Sequence, residues 1–365
     1  MAGGAAFLLG FECMLNSRRA NTIANKWLAV FVITFGLAMI EMALATQNFQ
    51  YGHPKLFELI SLLRFLTAPA LYLAVISFTS LTPAFKRKHL LHFTPFLFFL
   101  GFRIPFFVTG ENIALSPEIA KIVFIILASA LPLQSILYWS LSLRRLEDHN
   151  KALRLFSSST ESSGLAWLKD FLLIVGVIAA TWLNILYFHI DILIPYTPFL
   201  YLACLFFLAY FSLQQKEIYD LTDAERSGLT EIIGKPGPVQ RQKRLSEARL
   251  NILTEKLRRL IDEQEVYLDN ELTLPALAEM LEITTNEASY LINEAYNENF
   301  YNFINRHRVE AAKLLLLSGQ FKKLNILGIA YRSGFTSKST FNATFKKCTG
   351  MTPTQFVKQN TPITA

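Results

Sequence analysis

Apolar residues fill long, nearly unbroken blocks up to about position 214 and after that recur at every third or fourth place among charges. A helix needs roughly 20 apolar residues to cross about 30 Å of hydrocarbon. Six blocks reach that length, near 27 to 46, 56 to 81, 90 to 109, 119 to 143, 165 to 190 and 194 to 214, and each predicts a spanning helix. Residues 5 to 15 are apolar but short. No basic residue precedes them and Arg18 and Arg19 follow, the charge order of an anchor with its N-terminus outside and not of a cleaved leader.

Charge changes the picture from hydropathy to orientation, because Lys and Arg accumulate on the cytoplasmic side of a membrane. The connections carrying Arg18, Arg19 and Lys26, then Lys86, Arg87 and Lys88, then Arg144, Arg145, Lys151 and Arg154 are basic, whereas the alternating ones hold only Lys55. The remainder of the chain is therefore expected on the cytoplasmic side. Of the 35 Lys+Arg and 28 Asp+Glu, residues 1 to 214 hold only 15 and 10, so charge density roughly doubles beyond them and marks a domain boundary. The division expected is a helical bundle over 1–214, a linker over 215–241 and a polar domain over 242–360.

Ionisable residues inside spans are costly and single out candidate function. Glu41, Arg64 and Arg103 all fall in the outer half of the bilayer by helix rise, with Asn184, His189 and Tyr201 near the same level. They predict either an ion pair of Glu41 with one Arg or, through the surplus positive charge, a receptor for an anionic small-molecule signal. Pro69, Pro95, Pro105 and Pro132 are expected to kink their helices. His89 and His92 share a helix face but lack a third ligand, and Cys13, Cys204 and Cys348 form no CxxC pair, so neither a metal site nor a disulfide framework is expected. With no HExxH, Walker-type or GxSxG grouping, the chain offers no catalytic constellation and calls for no cofactor.

The polar half is patterned as short helices. Residues 215 to 240 contain the helix-stopping GKPGPVQ. From about Gln242 a helix carries Leu250, Leu253, Leu257, Leu260 and Ile261 on one stripe, which either packs on its own domain or zips two chains into a homodimer. Two helix pairs follow. In the first, Leu274, Leu277, Ala278 and Leu281 precede a helix with Ala288, Leu291 and Ile292, with Thr273 or Thr285 as caps; in the second, Asn325 caps Ile326, Ile329 and Ala330, and Phe341 and Phe345 fix the last helix after Gly334. A helix over about 299 to 318 joins them.

IxxIAxxxGF at Ile326 to Phe335, then SKSTFNATFKK and TGMTPTQF, resemble the AraC/XylS DNA-binding domain, and the front half resembles that family's membrane-anchored bacterial subgroup. The resemblance covers about the last 100 residues. It implies an all-α protein, a polytopic transmembrane bundle followed by a cytoplasmic double helix-turn-helix, in which the second helix of each pair enters a major groove of double-stranded DNA. Carried onto this chain, the last recognition helix presents Ser337, Lys338, Ser339, Asn342 and Lys346, with Lys338 for a guanine edge, Asn342 for an adenine edge and Lys346 and Lys347 for phosphate. Gly328, Ala343 and Val357 with Lys358 depart from the family pattern, the last two removing expected DNA contacts.

Residues 306 to 358 hold 10 Lys+Arg and one acidic residue, net +9, against 10 and 17 over 215 to 305, net −7. The first recognition helix brings Glu287, Glu294 and Glu298 and no basic residue. It is expected to add contacts from Asn286, Ser289, Tyr290 and Asn293 at most, or to dock a protein such as an RNA polymerase subunit. The reading is a transcriptional regulator that couples a signal sensed in the bundle to promoter binding. Its alternative is a receptor or transporter whose cytoplasmic domain docks a protein partner.

Overall fold

The computed structural model describes residues 2–15, 21–80, 84–158, 165–184, 188, 190, 195–214, 246–318 and 325–360. It divides into two compact units, Met1–Glu147 with Gly164–Ile218 and Asp148–Ser163 with Tyr219–Ala365. The described residues are all-helical apart from an isolated antiparallel bridge between Ser157 and Thr273. The second unit takes in the segment from Asp148, which the hydropathy pattern assigned to the bundle.

The first unit runs α1 (Ala2–Leu15), α2 (Thr22–Thr46), a single turn α3 (Phe49–Gly52), α4 (Pro54–Leu63), a 3-10 turn (Arg64–Leu66) and α5 (Thr67–Phe78). A 3-10 stretch (Arg87–Phe93) then enters α6 (Thr94–Thr109), followed by α7 (Pro117–Phe156), α8 (Ala166–Leu183) and α9 (Thr197–Gln214). Four stretches, Thr22–Thr46, Pro54–Phe78, Arg87–Thr109 and Ala166–Leu183, are long and apolar enough to cross a membrane; Gly3–Leu15 and Thr197–Phe211 are shorter apolar helices. The span expected over 119 to 143 lies within α7, which does not stop at the basic residues after it but continues as one helix of 40 residues. Leu146, Leu153 and Phe156 are buried along that extension, so tertiary packing holds a stretch that its charge alone assigned to a loop.

Glycine lets α1 lie close on α2. A Cβ on Gly36 would stand 2.6 Å from that of Ala6, and one on Gly10 2.6 Å from Ile33, the small-residue contact that substitutes for a hydrophobic drive where both partners are equally apolar. Proline acts unevenly. Pro69 cannot donate to the Phe65 carbonyl, the 3-10 turn sits there, and the Gln134 side-chain amide donates to that carbonyl instead (3.0 Å). Pro105 and Pro132 lie inside α6 and α7. Pro95, expected to kink, instead occupies the first turn of α6, where a missing N–H is not needed.

In the second unit, α10 (Glu247–Asp262) starts after its cap Ser246, and residues 241–245, where the sequence placed its beginning, lie outside the described residues. Its leucine stripe packs on its own domain: Leu253, Leu257, Leu260 and Ile261 join Leu277, Leu281, Leu291 and Phe303 in one core, with Leu250 against it. Next come α11 (Leu274–Leu281), capped by Thr273, and α12 (Thr285–Tyr296). The cap of α12 is Thr284, not Thr285: Thr284 and Glu287 exchange side-chain and backbone hydrogen bonds in a capping box, while Thr285 is its buried first residue. Then follow α13 (Phe300–Leu317), α14 (Ile326–Arg332) capped by Asn325, α15 (Lys338–Thr349) capped by Ser337, and α16 (Pro353–Asn360). A second core gathers Ile329, Ala330, Phe335, Phe341 and Phe345.

The joining helix α13 belongs to both cores, giving Phe300, Phe303 and Ile304 to the first and Val309, Ala312 and Leu316 to the second. Between those groups Arg308 is almost fully buried, at 1% exposure. Gly334, in the turn from α14 to α15, has φ of 84°, and a Cβ there would meet the Tyr267 carbonyl oxygen at 2.6 Å and Arg308 Nε at 2.9 Å. Both the left-handed backbone and the close approach demand glycine. Gly334→Ala is expected to lower the opening free energy of this core by about 2 kcal/mol, read by amide exchange of Phe341 and Phe345 in the full chain.

Candidate nucleic-acid interface

Two helix-turn-helix pairs, α11–α12 and α14–α15, hang on one helix. In α15 the hydroxyl of Ser337 accepts from the Thr340 N–H (3.2 Å) and lies 3.0 Å from the Ser339 hydroxyl, so it is committed to capping. Lys338, Ser339 and Lys346 are exposed and Asn342 is half-buried. Lys338, Asn342 and Lys346 recur every fourth residue and share one face. Lys347, expected with Lys346 at phosphate, is exposed and donates to Asn302 Oδ1 on α13 (3.2 Å).

In α12, Asn293 is exposed, whereas Asn286, Ser289 and Tyr290 are half-buried and Tyr290 packs against the first core. Its acids are largely spoken for. Glu287 accepts from the Thr284 N–H (2.9 Å), which with the Thr284 hydroxyl holds its carboxyl below the usual carboxylate range, and it pairs with Arg249 (3.6 Å). Glu298, expected on this helix, lies past its end at Tyr296 and pairs with Arg306 of α13 (3.1 Å). The repulsion expected from three free carboxylates is thus reduced to that of exposed Glu294, while the basic row remains on α15 alone.

His307 of α13 stacks on Tyr267 (5.8 Å) and meets Phe303 edge-on (5.0 Å), and burial, then Arg306, lowers its pKa below 6.5. Folding therefore favours the neutral ring, and that contribution is present above about pH 6.5 and lost as pH falls.

In the apolar unit the three candidate ionisable residues form two pairs, not one cluster. Glu41 accepts from Ser61 Oγ (2.6 Å) and Arg64 Nη1 (3.0 Å). Arg64 lies over the Trp182 ring at 4.6 Å, and Trp182 Nε1 donates to the hydroxyl of buried Tyr201. Arg103 instead meets Glu58 (2.6 Å) and donates to Asn112 Oδ1 (2.8 Å). Glu58, which the sequence reading passed over although it too is an acid in an apolar block, removes the surplus positive charge on which an anion receptor rested. Asn184 donates to the Ile190 carbonyl (3.1 Å), and His189 lies outside the described residues. His92 faces the Tyr138 hydroxyl (3.0 Å) and His89 accepts from the Lys86 N–H (3.4 Å), so the two rings serve different partners.

Comparison with known proteins bears on the C-terminal part of the chain. Residues 277–359 match the family described as helix-turn-helix domain, and the C-terminal part of the chain is a helix-turn-helix domain of the AraC type. It is similar to HTH-type transcriptional regulators of Staphylococcus aureus strains COL and N315, at 31% identity over 102 residues, or 28% of this chain. The match spans 13% of the length of those curated relatives. Among solved structures, the C-terminal domain of AraT, a response regulator from Geobacillus stearothermophilus, is 31% identical, with 30% of this chain and 88% of that one covered and a TM-score of 0.28. The C-terminal domain of the two-component response regulator yesN from Fusobacterium nucleatum is 31% identical, with 28% and 95% covered and a TM-score of 0.26.

The asymmetry between the two pairs yields a direct test. Lys338→Ala is expected to weaken DNA binding by about 1 kcal/mol or more, and Asn293→Ala by less than about 0.5 kcal/mol, in a titration of the full chain at fixed salt. Equal losses would assign the two recognition helices equal shares.

Proposed function

We propose that the chain is a membrane-embedded, sequence-specific DNA-binding regulator of transcription, with the apolar unit in the bilayer and the double helix-turn-helix on its cytoplasmic side. The observation that carries the reading is α13. By lending one face to both cores it holds two capped recognition helices on a single rigid element, which suits contact with successive major grooves. Lys338, Asn342 and Lys346 read or grip the DNA from the second pair, and Asn293 assists from the first.

The apolar unit supports membrane embedding through what it leaves outside. Phe98, Phe199 and Phe206 are 67%, 69% and 67% exposed, and α6 and α9 carry many such side chains. A water-facing surface of that kind is uncommon, whereas hydrocarbon solvates it. Charge asymmetry of the connections supports the cytoplasmic placement of the DNA-binding unit. The partners proposed with this reading, beside DNA and lipid, are a small-molecule signal acting on the bundle, a second copy of the chain and RNA polymerase.

The test is a salt titration of the full chain in detergent micelles against pooled genomic DNA. Binding should fall linearly with log salt concentration, by about 0.9 log unit per phosphate neutralised, and Lys338→Ala with Lys346→Ala should reduce that slope by about 2. Salt-insensitive association, or none at low salt, would return the domain to the protein-docking alternative.

A further inference from the structure

The unit that holds the helix-turn-helix pairs is completed by a peptide from far earlier in the chain. After its last turn α7 releases Ser157 and Ser158 into an extended contact with residues 272 and 273. Ser157 bridges antiparallel to Thr273, and Ser158 donates to the Leu272 carbonyl from its N–H (3.4 Å) and its hydroxyl (2.8 Å). The Ser158 carbonyl in turn accepts from Asn305 Nδ2 (2.9 Å) and Arg308 Nη1 (3.3 Å), while Arg308 Nη2 donates to Ser158 Oγ (2.9 Å). Leu153, Phe156, Ser157 and Ser158 are all buried, and Arg154 lies over the Tyr301 ring at 5.7 Å.

Arg308 explains why such a peptide is needed. Its remaining donors reach the Tyr267 and Asp269 carbonyls (each 2.7 Å), and burial lowers its pKa to about 10. A guanidinium has five N–H donors and no acceptor, and a buried one left short of partners is strongly unfavourable. The loop 267–269 satisfies one side of it and Ser158 the other. Arg154 also lines, with Tyr301, Asn302, Ala343, Thr344 and Lys347, a polar crevice of about 320 Å³ between α13 and the rear of α15.

We propose that residues 148–158 are a clamp that seats on Asn305 and Arg308 and fixes α13 for DNA engagement, so that α7, rather than the linker over 215–241, is the mechanical input to the DNA-binding unit. This rests on the regulator reading for its consequence, not for the docking itself. The clamp is the continuation of the same helix that begins at Pro117, and it meets α13 near that helix's centre, at Asn305 and Arg308.

The experiment uses the full chain in detergent micelles, with two readouts. Amide exchange at residues 157, 158, 272 and 273 reports docking, and affinity for a duplex enriched from genomic DNA by the wild-type protein reports its consequence. Ser158→Leu and Phe156→Ala should each abolish the protection and weaken DNA binding about tenfold, while Phe341 and Phe345 amides stay protected and show the second core folded. A Gly/Ser insertion within 215–241 should leave both readouts unchanged. Protection that survives both substitutions, affinity within about twofold of wild type once protection is lost, or an equal loss from the linker insertion would overturn the proposal. If the wild-type chain enriches no DNA, the regulator reading fails, and exchange alone decides the clamp: protected and then lost sustains it, unprotected in wild type overturns it.

Discussion

A buried cation governs the polar half of this molecule. Arg308 sits where the two helix-turn-helix cores meet on α13, and among the described residues it forms no ion pair with an acid. Its charge is stabilised by carbonyls and a hydroxyl drawn from three places in the chain: the turn after α10, the neighbouring residue Asn305, and Ser158. Each must be held at the right distance for the others to be useful, so satisfying one side chain organises the loop before α11, the turn at Gly334 and the end of α7. The left-handed glycine at 334 follows from the same constraint, because a Cβ there would press on both Arg308 and the carbonyl it binds.

The apolar half obeys a different constraint. Its helices gain little from burying one apolar surface against another if hydrocarbon already surrounds them, so fit and polar links decide their pairing. Close approach at Gly3, Gly10 and Gly36 joins α1 to α2. Glu41, Ser61, Arg64, Trp182 and Tyr201 tie α2, α4 with the 3-10 turn after it, α8 and α9 through hydrogen bonds and a cation over a ring. The arrangement satisfies charge within the unit rather than displaying it.

The recognition surfaces differ for reasons visible in both sequence and structure. The second pair keeps Lys338 and Lys346 exposed on one face, while the first spends its carboxylates on a capping box and on Arg249 and Arg306. Acidic composition alone suggested repulsion of phosphate there. Paired carboxylates repel less than free ones, so the smaller share proposed for α12 rests mainly on its lack of a cation.

Sequence by itself determined the all-helical class, the change of character near residue 214, both helix-turn-helix pairs and the caps at Thr273 and Asn325, because periodicity and capping are local and a single helix face or a single Thr or Asn carries them. It also placed the basic row of α15, since residues four apart on a helix share a face whatever surrounds them. Arg308 was partly legible, lying at the four-residue spacing of Ile304 and Ala312 on the buried side of α13. What only tertiary structure decided is which partner each polar group takes: Arg103 with Glu58 and not Glu41, Lys347 with Asn302, Thr284 and not its neighbour as cap, and Ser158 with Arg308 from 150 residues away. Periodicity constrains which face a residue occupies, whereas a hydrogen bond or ion pair depends on distances between segments that no local pattern records.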